Sequence, residues 1–194
     1  MVAELQGAAD GRASAGVKRV VLIGSESTGK TTLAQRLAHH FRVSWVPEFV
    51  REYAESKGAP LDFSDHGPIA RGQIALEDEQ LARAASHNEH VLIQDTDLLS
   101  TAVYCAHYYG ECPRWIHEAA RERRPDLYLL LDIDIPWTPD APRDRGHMRP
   151  EMQALFRDAV ERSGVPFVDI SGDAEERFAS ARAAIETLTG SDSR

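Results

Sequence analysis

Residues 24–32 read Gly-Ser-Glu-Ser-Thr-Gly-Lys-Thr-Thr, and those residue types in that order suit a polyphosphate. Gly24 and Gly29, separated by four residues, permit the backbone angles that curl a chain around an anion. Several N–H groups of the loop formed by Ser25, Glu26, Ser27, Thr28 and their neighbours can then converge on it, together with the positive end of a following helix. Lys30 is placed to neutralise the β- and γ-phosphates. The hydroxyl of Thr31, with Thr32 beside it, is placed to ligate Mg²⁺. The expected cofactors are ATP and Mg²⁺.

Such a loop is shared by kinases, GTP switches and ATPases that drive remodelling. No Asn-Lys-x-Asp stretch is present to select guanine. A kinase needs in addition a group that positions or deprotonates an acceptor hydroxyl, a carboxylate for the metal, and cationic side chains over the transferring phosphoryl. Glu48, just past a second apolar run, is the candidate for the first role; alternatively it is a carboxylate favoured by a helix N-terminus. Asp95 and Asp97 follow the run Val91–Ile93 and should project from the carboxyl end of a strand. One of them is expected at the metal, Asp95 being paired with Thr31, while Asp97 could instead cap a helix. The irregular stretch from Pro136 to Met152 carries Trp137, Asp140, Arg143, Arg145 and Arg149. It suits a lid, with Arg143 the first choice for stabilising transferred charge, or else a solvated surface loop.

The elements that would position these residues are legible as alternating periods. Lys18–Ile23 is aliphatic without alternation, as in a parallel strand covered on both faces, and Thr31–Phe41 has helical spacing. Val43–Val46, Val91–Ile93, Asp126–Leu131 and Val165–Ile170 are the further strand candidates. Helices are expected over Glu48–Ser56, ended by Gly58, and over Asp65–Ser86, with Gly67, Pro68 and Gly72 breaking its first turns. A closing helix over Asp173–Leu188 turns Phe178, Ala181, Ile185 and Leu188 inward. The alternation predicts an α/β protein of the P-loop NTPase type, a three-layer α/β/α fold with a central parallel sheet of about five strands and an arginine-bearing lid. Residues 17–190 are expected to form a single domain, with residues 1–16 a flexible leader and 191–194 a tail.

With 194 residues and a net charge of −9, the chain lacks the basic surface that drives nucleic-acid binding. No apolar run approaches the ~18 residues of a membrane span. Cys105 and Cys112 are too few for a disulfide framework and are expected as thiols in a reducing, cytoplasmic setting. The eight histidines show no metal-ligand spacing, and Trp45, Tyr53, Tyr104, Tyr108 and Trp137 are individually packing groups first. The expected partner is a small hydroxylated metabolite, with homo-oligomerisation open.

Gly24–Leu33, Glu48 with Arg51 and Glu52, Asp95-Thr-Asp97 with Thr101, Pro136-Trp-Thr-Pro-Asp140 with Arg143, and Glu176-Arg-Phe178 occur in this order along nearly the whole chain. In them the chain resembles the ribosylnicotinamide kinase domain found at the C-terminus of NadR-type bacterial regulators of NAD biosynthesis. The resemblance implies ATP-dependent phosphorylation of the ribose 5′-hydroxyl of nicotinamide riboside to nicotinamide mononucleotide. It places Lys30, Glu48, Asp95 and Arg143 in catalysis and adds Arg177 to the nucleotide-binding residues. At the acceptor it places Glu48, Arg51, Asp97, Tyr104, Trp137 and Asp140, of which the aromatic faces and carboxylates would favour the pyridinium charge. A kinase for another nucleoside or small metabolite is the alternative within the fold. A regulatory ATPase with no small acceptor is the alternative outside it.

Overall fold

The computed structural model describes residues 16–135 and 148–190. The chain runs β1 (Lys18–Ile23), α1 (Lys30–Phe41), β2 (Trp45–Val46), α2 (Phe49–Lys57), a 3₁₀ turn (Phe63–Asp65), α3 (His66–Ser86), β3 (Val91–Asp95), α4 (Leu98–Tyr109), α5 (Arg114–Glu122), β4 (Leu127–Leu131), α6 (Arg149–Ser163), β5 (Phe167–Ile170) and α7 (Ala174–Gly190). The five strands form one parallel sheet in the order β2-β3-β1-β4-β5.

β1 lies at the centre, and this explains its unbroken apolar run. Val20 and Leu22 face a core shared with Leu33 and Leu37 of α1 and Ala181 and Ile185 of α7. Val21 and Ile23 face Met152, Phe156 and Val160 of α6 on the other side. All four of these side chains are fully buried, each stabilising the sheet by about 1.5–3 kcal/mol. Leaving β1, the chain builds β2 and β3 on one side and β4 and β5 on the other. The carboxyl end of β1 is therefore the point where strand order reverses, the place where open α/β sheets form their ligand crevice.

Three expectations need correction. β3 extends through Gln94 to Asp95, so Asp95 is the last strand residue, Cα-paired with Leu22. The second strand is shorter than expected, Trp45–Val46 alone. α3 is continuous from His66 to Ser86, despite Gly67, Pro68 and Gly72. Pro68 falls in the first turn, where its missing N–H has no intrahelical partner to lose, and Gly72 is tolerated for a packing reason given below. The reciprocal bonds of Asp62 and Asp65 cap the 3₁₀ turn that leads into α3.

α2 is held differently from the other helices. It contains no buried residue, and its C-terminal half is tied down by polar contacts. The Tyr53 hydroxyl donates to Asp65 Oδ1 at 2.8 Å, and Lys57 bridges Asp62 and Asp65. Lys57 and the backbone N–H of Asp62 hold the Asp65 carboxyl below its usual value, against the desolvation that would raise it.

Candidate active site

Residues 24–29 link the end of β1 to the start of α1. Gly24 at φ 138° and Gly29 at φ 82° take angles that favour glycine. A side chain at Gly24 would also crowd the carbonyl oxygen of Leu131 at 2.7 Å. Gly29 begins α1 with no side-chain capping bond and no acidic residue in the first turn, which leaves the first-turn amides oriented toward an anion. The buried Lys30 folds back over the loop, donating to the carbonyls of Gly24 at 3.0 Å and Ser25 at 2.6 Å.

Beside the loop, the Thr31 hydroxyl donates to Asp95 Oδ2 at 2.5 Å. Asp95 is 1% exposed, and its Oδ1 has no hydrogen-bond partner among the described residues. Burial first and the Glu48 carboxylate second push its pKa up, against the Thr31 hydroxyl and the Lys30 charge. A buried carboxylate with an open oxygen and another carboxylate nearby calls for a cation. A hydroxyl and a carboxylate are the hard oxygen donors that Mg²⁺ takes when substrate phosphates complete its shell. Among the described residues no three His, Cys, Asp or Glu side chains gather into a metal cage.

Thr31, Asp95, Glu48, Arg51, Trp45 and Phe49 line one cleft of about 220 Å³. Glu48 is the N-cap residue of α2, in extended backbone and with no capping bond from its side chain. Its Oε2 accepts from Arg51 Nε at 3.0 Å.

Three expected residues make their contacts elsewhere. Asp97 caps α4, its Oδ1 accepting from the amides of Leu99 and Ser100, and its Oδ2 accepts from the Tyr128 hydroxyl at 2.6 Å. Thr96, in the left-handed region at φ 68°, separates the two aspartates, and Asp97 is buried with both oxygens engaged. Both Asp97 oxygens are thus taken up by α4 and β4 in this structure, away from the acceptor role expected of them. Arg177 is 5% exposed and acts on backbone: it donates to the carbonyls of Thr28 at 2.9 Å, Gly172 at 2.8 Å and Asp132 at 3.0 Å, and pairs with Asp134. It braces the phosphate loop from behind. Tyr104 stacks on Tyr108 and donates to Glu26 Oε2 at 3.4 Å, a carboxylate that also accepts from Ser25 Oγ. Trp137, Asp140 and Arg143 lie outside the described residues.

Two residues at the start of α6 reach the loop, Arg149, which the sequence offered only as one arginine of the charged stretch, and Gln153, which it did not point to. Arg149 donates to the carbonyls of Ser27 at 3.3 Å and Ile135 at 3.2 Å, and Gln153 Oε1 accepts from the Ser25 amide at 3.2 Å. Their i,i+4 spacing on either side of Pro150, at the start of a helix, is the signal that could have found them.

A phosphate-binding loop at the switch point of a parallel sheet, with a strand-end carboxylate on its first helical hydroxyl, defines a P-loop nucleotide-binding protein. The chain belongs to the AAA domain family, whose family model matches residues 19–177. Curated relatives include the trifunctional NAD biosynthesis/regulator protein NadR of Escherichia coli, 31% identical over 84% of this chain and 40% of that one, and its Salmonella typhimurium counterpart, 30% identical over the same shares. The chain thus spans less than half the length of these relatives. Among solved structures, NadR in complex with NR superposes with a TM-score of 0.71 at 27% identity, over 92% of this chain and 53% of that one. Thymidylate kinase from Ehrlichia chaffeensis, at 17% identity, shares the fold, with a TM-score of 0.61 over 89% of this chain and 99% of that one. Among the described residues no helix is long and apolar enough to cross a membrane.

Proposed function

We propose that the chain is an ATP-dependent kinase that phosphorylates the ribose 5′-hydroxyl of nicotinamide riboside, giving nicotinamide mononucleotide and ADP. The observation that carries the reading is that Glu48, Asp95 and Thr31 share one cleft at the rim of the phosphate loop. On this reading an acceptor-side carboxylate would stand in the same cleft as a metal-side one. The likeness to NadR, solved with NR, supports the acceptor.

In this reading the loop amides and Lys30 hold the β- and γ-phosphates, Lys30 exchanging its contacts to Gly24 and Ser25 for phosphate oxygens. Thr31 and Asp95 would hold Mg²⁺, which when bound neutralises charge on the β- and γ-phosphate oxygens. Glu48 orients the acceptor hydroxyl and takes its proton as the new O–P bond forms and the β–γ bridging bond breaks. Arg51 keeps the Glu48 carboxylate in place, and Trp45 offers an aromatic face to the nicotinamide ring. Arg149 adds a guanidinium charge at the edge of the loop.

ATP consumption by the purified chain with Mg²⁺ across a panel of nucleosides tests the reading. Turnover that depends on nicotinamide riboside supports it; dependence on a different nucleoside moves the acceptor and keeps the kinase. Equal hydrolysis with and without any acceptor removes both and leaves an ATPase.

A further inference from the structure

α2 buries no residue; Tyr53 and Lys57 tie its C-terminal half and Arg51 holds the Glu48 carboxylate, and further contacts fix the helix start that carries Glu48. The contacts lie on the next residue. The Phe49 amide donates to Gln73 Oε1 of α3 at 3.0 Å, and Gln73 is 3% exposed. The Phe49 ring lies against the backbone of α3 where Gly72 stands; a Cβ on Gly72 would overlap that ring. Glycine inside a helix is unfavourable relative to alanine, so its place in the middle of α3 is accounted for by the ring that no other residue would admit.

The two contacts divide the work of a helix start. Glu48, the N-cap residue, makes no capping bond with its own side chain, and Gln73 from a neighbouring helix takes the first amide of α2 instead. With ring and amide both fixed, the direction of the residue just before them is fixed as well.

We propose that Gly72 and Gln73 are positioning residues for phosphoryl transfer, forming a seat on α3 for Phe49 that turns the Glu48 carboxylate toward the acceptor hydroxyl. The proposal rests on the reading of Glu48 as the group that receives the acceptor proton. Misplacing a reacting group by about 1 Å costs on the order of 100-fold in rate, so small changes at the seat should be visible in turnover.

The test is steady-state kinetics on the full chain with Gly72→Ala, Phe49→Ala, the double variant, Gln73→Leu and Glu48→Gln. Gly72→Ala should lower kcat by about tenfold or more while KM for ATP changes by less than about twofold, because the phosphate loop is untouched. A general loss of structure would move both. In the Phe49→Ala background, adding Gly72→Ala should cost nothing further, since the ring it displaces is gone. A wild-type kcat for Gly72→Ala, or an undiminished further loss in the Phe49→Ala background, overturns the proposal. If Gly72→Ala does not fold, Gln73→Leu decides by the same kcat-against-KM split, a wild-type kcat again overturning it. An unchanged kcat for Glu48→Gln removes the functional reading itself. Impairment there with none at Gly72 and Gln73 removes only the seat.

Discussion

The Thr31 hydroxyl and Asp95 Oδ2 meet at 2.5 Å across 64 residues of sequence, bonding the first turn of α1 directly to the end of β3. Asp95→Asn should therefore lower turnover by about 10–100-fold and shift the Mg²⁺ dependence to higher concentration. The same substitution removes a buried charge whose pKa is raised by burial and by Glu48, so the metal-free protein should melt at a higher temperature. A Mg²⁺ titration of activity beside a thermal melt checks both. An unchanged half-saturating Mg²⁺ concentration would take Asp95 away from the metal.

Asp97 and Tyr128 should behave as framework. The bond between them is buried, and burial followed by the Asp97 charge drives the Tyr128 hydroxyl far above its ordinary value. Tyr128→Phe leaves one carboxylate oxygen unpaired and should cost about 1–3 kcal/mol in denaturant unfolding. KM for the acceptor should stay unchanged; a raised acceptor KM would return Asp97 to the substrate.

Arg177→Ala removes the donor that three backbone carbonyls and Asp134 share. Leaving the buried Thr28 carbonyl without its donor should cost about 1–3 kcal/mol, which is a drop in Tm of roughly 2–12 °C for a chain of this size. Because Thr28 lies in the phosphate loop, KM for ATP should rise more than KM for the acceptor. Equal changes in the two would mean that Arg177 supports the fold without favouring the loop.

Glu77 supplies a pH dependence of stability. It is 2% exposed, contacts Arg19 at 3.4 Å and Arg123 at 3.0 Å, and burial outweighs both cations to push its pKa up to about 7 from 4.5. Between those two values the folded state holds a proton that the unfolded state has lost, so this group makes stability fall as pH rises from about 4.5 to about 7, and adds no further slope above. Glu77→Gln should flatten that part of the stability profile measured by urea unfolding at stepped pH. An identical profile would place the titration elsewhere.

The strands and the phosphate loop are legible in the sequence because β1 is covered on both faces and glycine, lysine and threonine each have one task there. Asp97 is less so: a carboxylate just beyond a strand reads equally as ligand or helix cap, and what decides it, the left-handed Thr96 and the hydroxyl of Tyr128 from β4, comes from backbone geometry and from a residue 31 positions away. Gly72 reads as a helix breaker because a single chain gives no sign of the ring that will lie on it. Arg149 reads as one more arginine in a charged stretch until α6 carries it to Ser27.

α2 also differs from the sheet in how it should exchange its amide hydrogens. With no buried residue, it can open locally while β1, β3 and β4 stay intact, so its amides should exchange by sub-global fluctuation and those of the central strands only on complete unfolding. On the proposed reading, the half of the cleft that would grip phosphate is thus anchored in the most protected part of the molecule, and the half that would face an acceptor in a less protected one. Substitutions that retune the acceptor can accumulate on α2 with little loss of global stability, whereas the same freedom is denied to the loop at the end of β1.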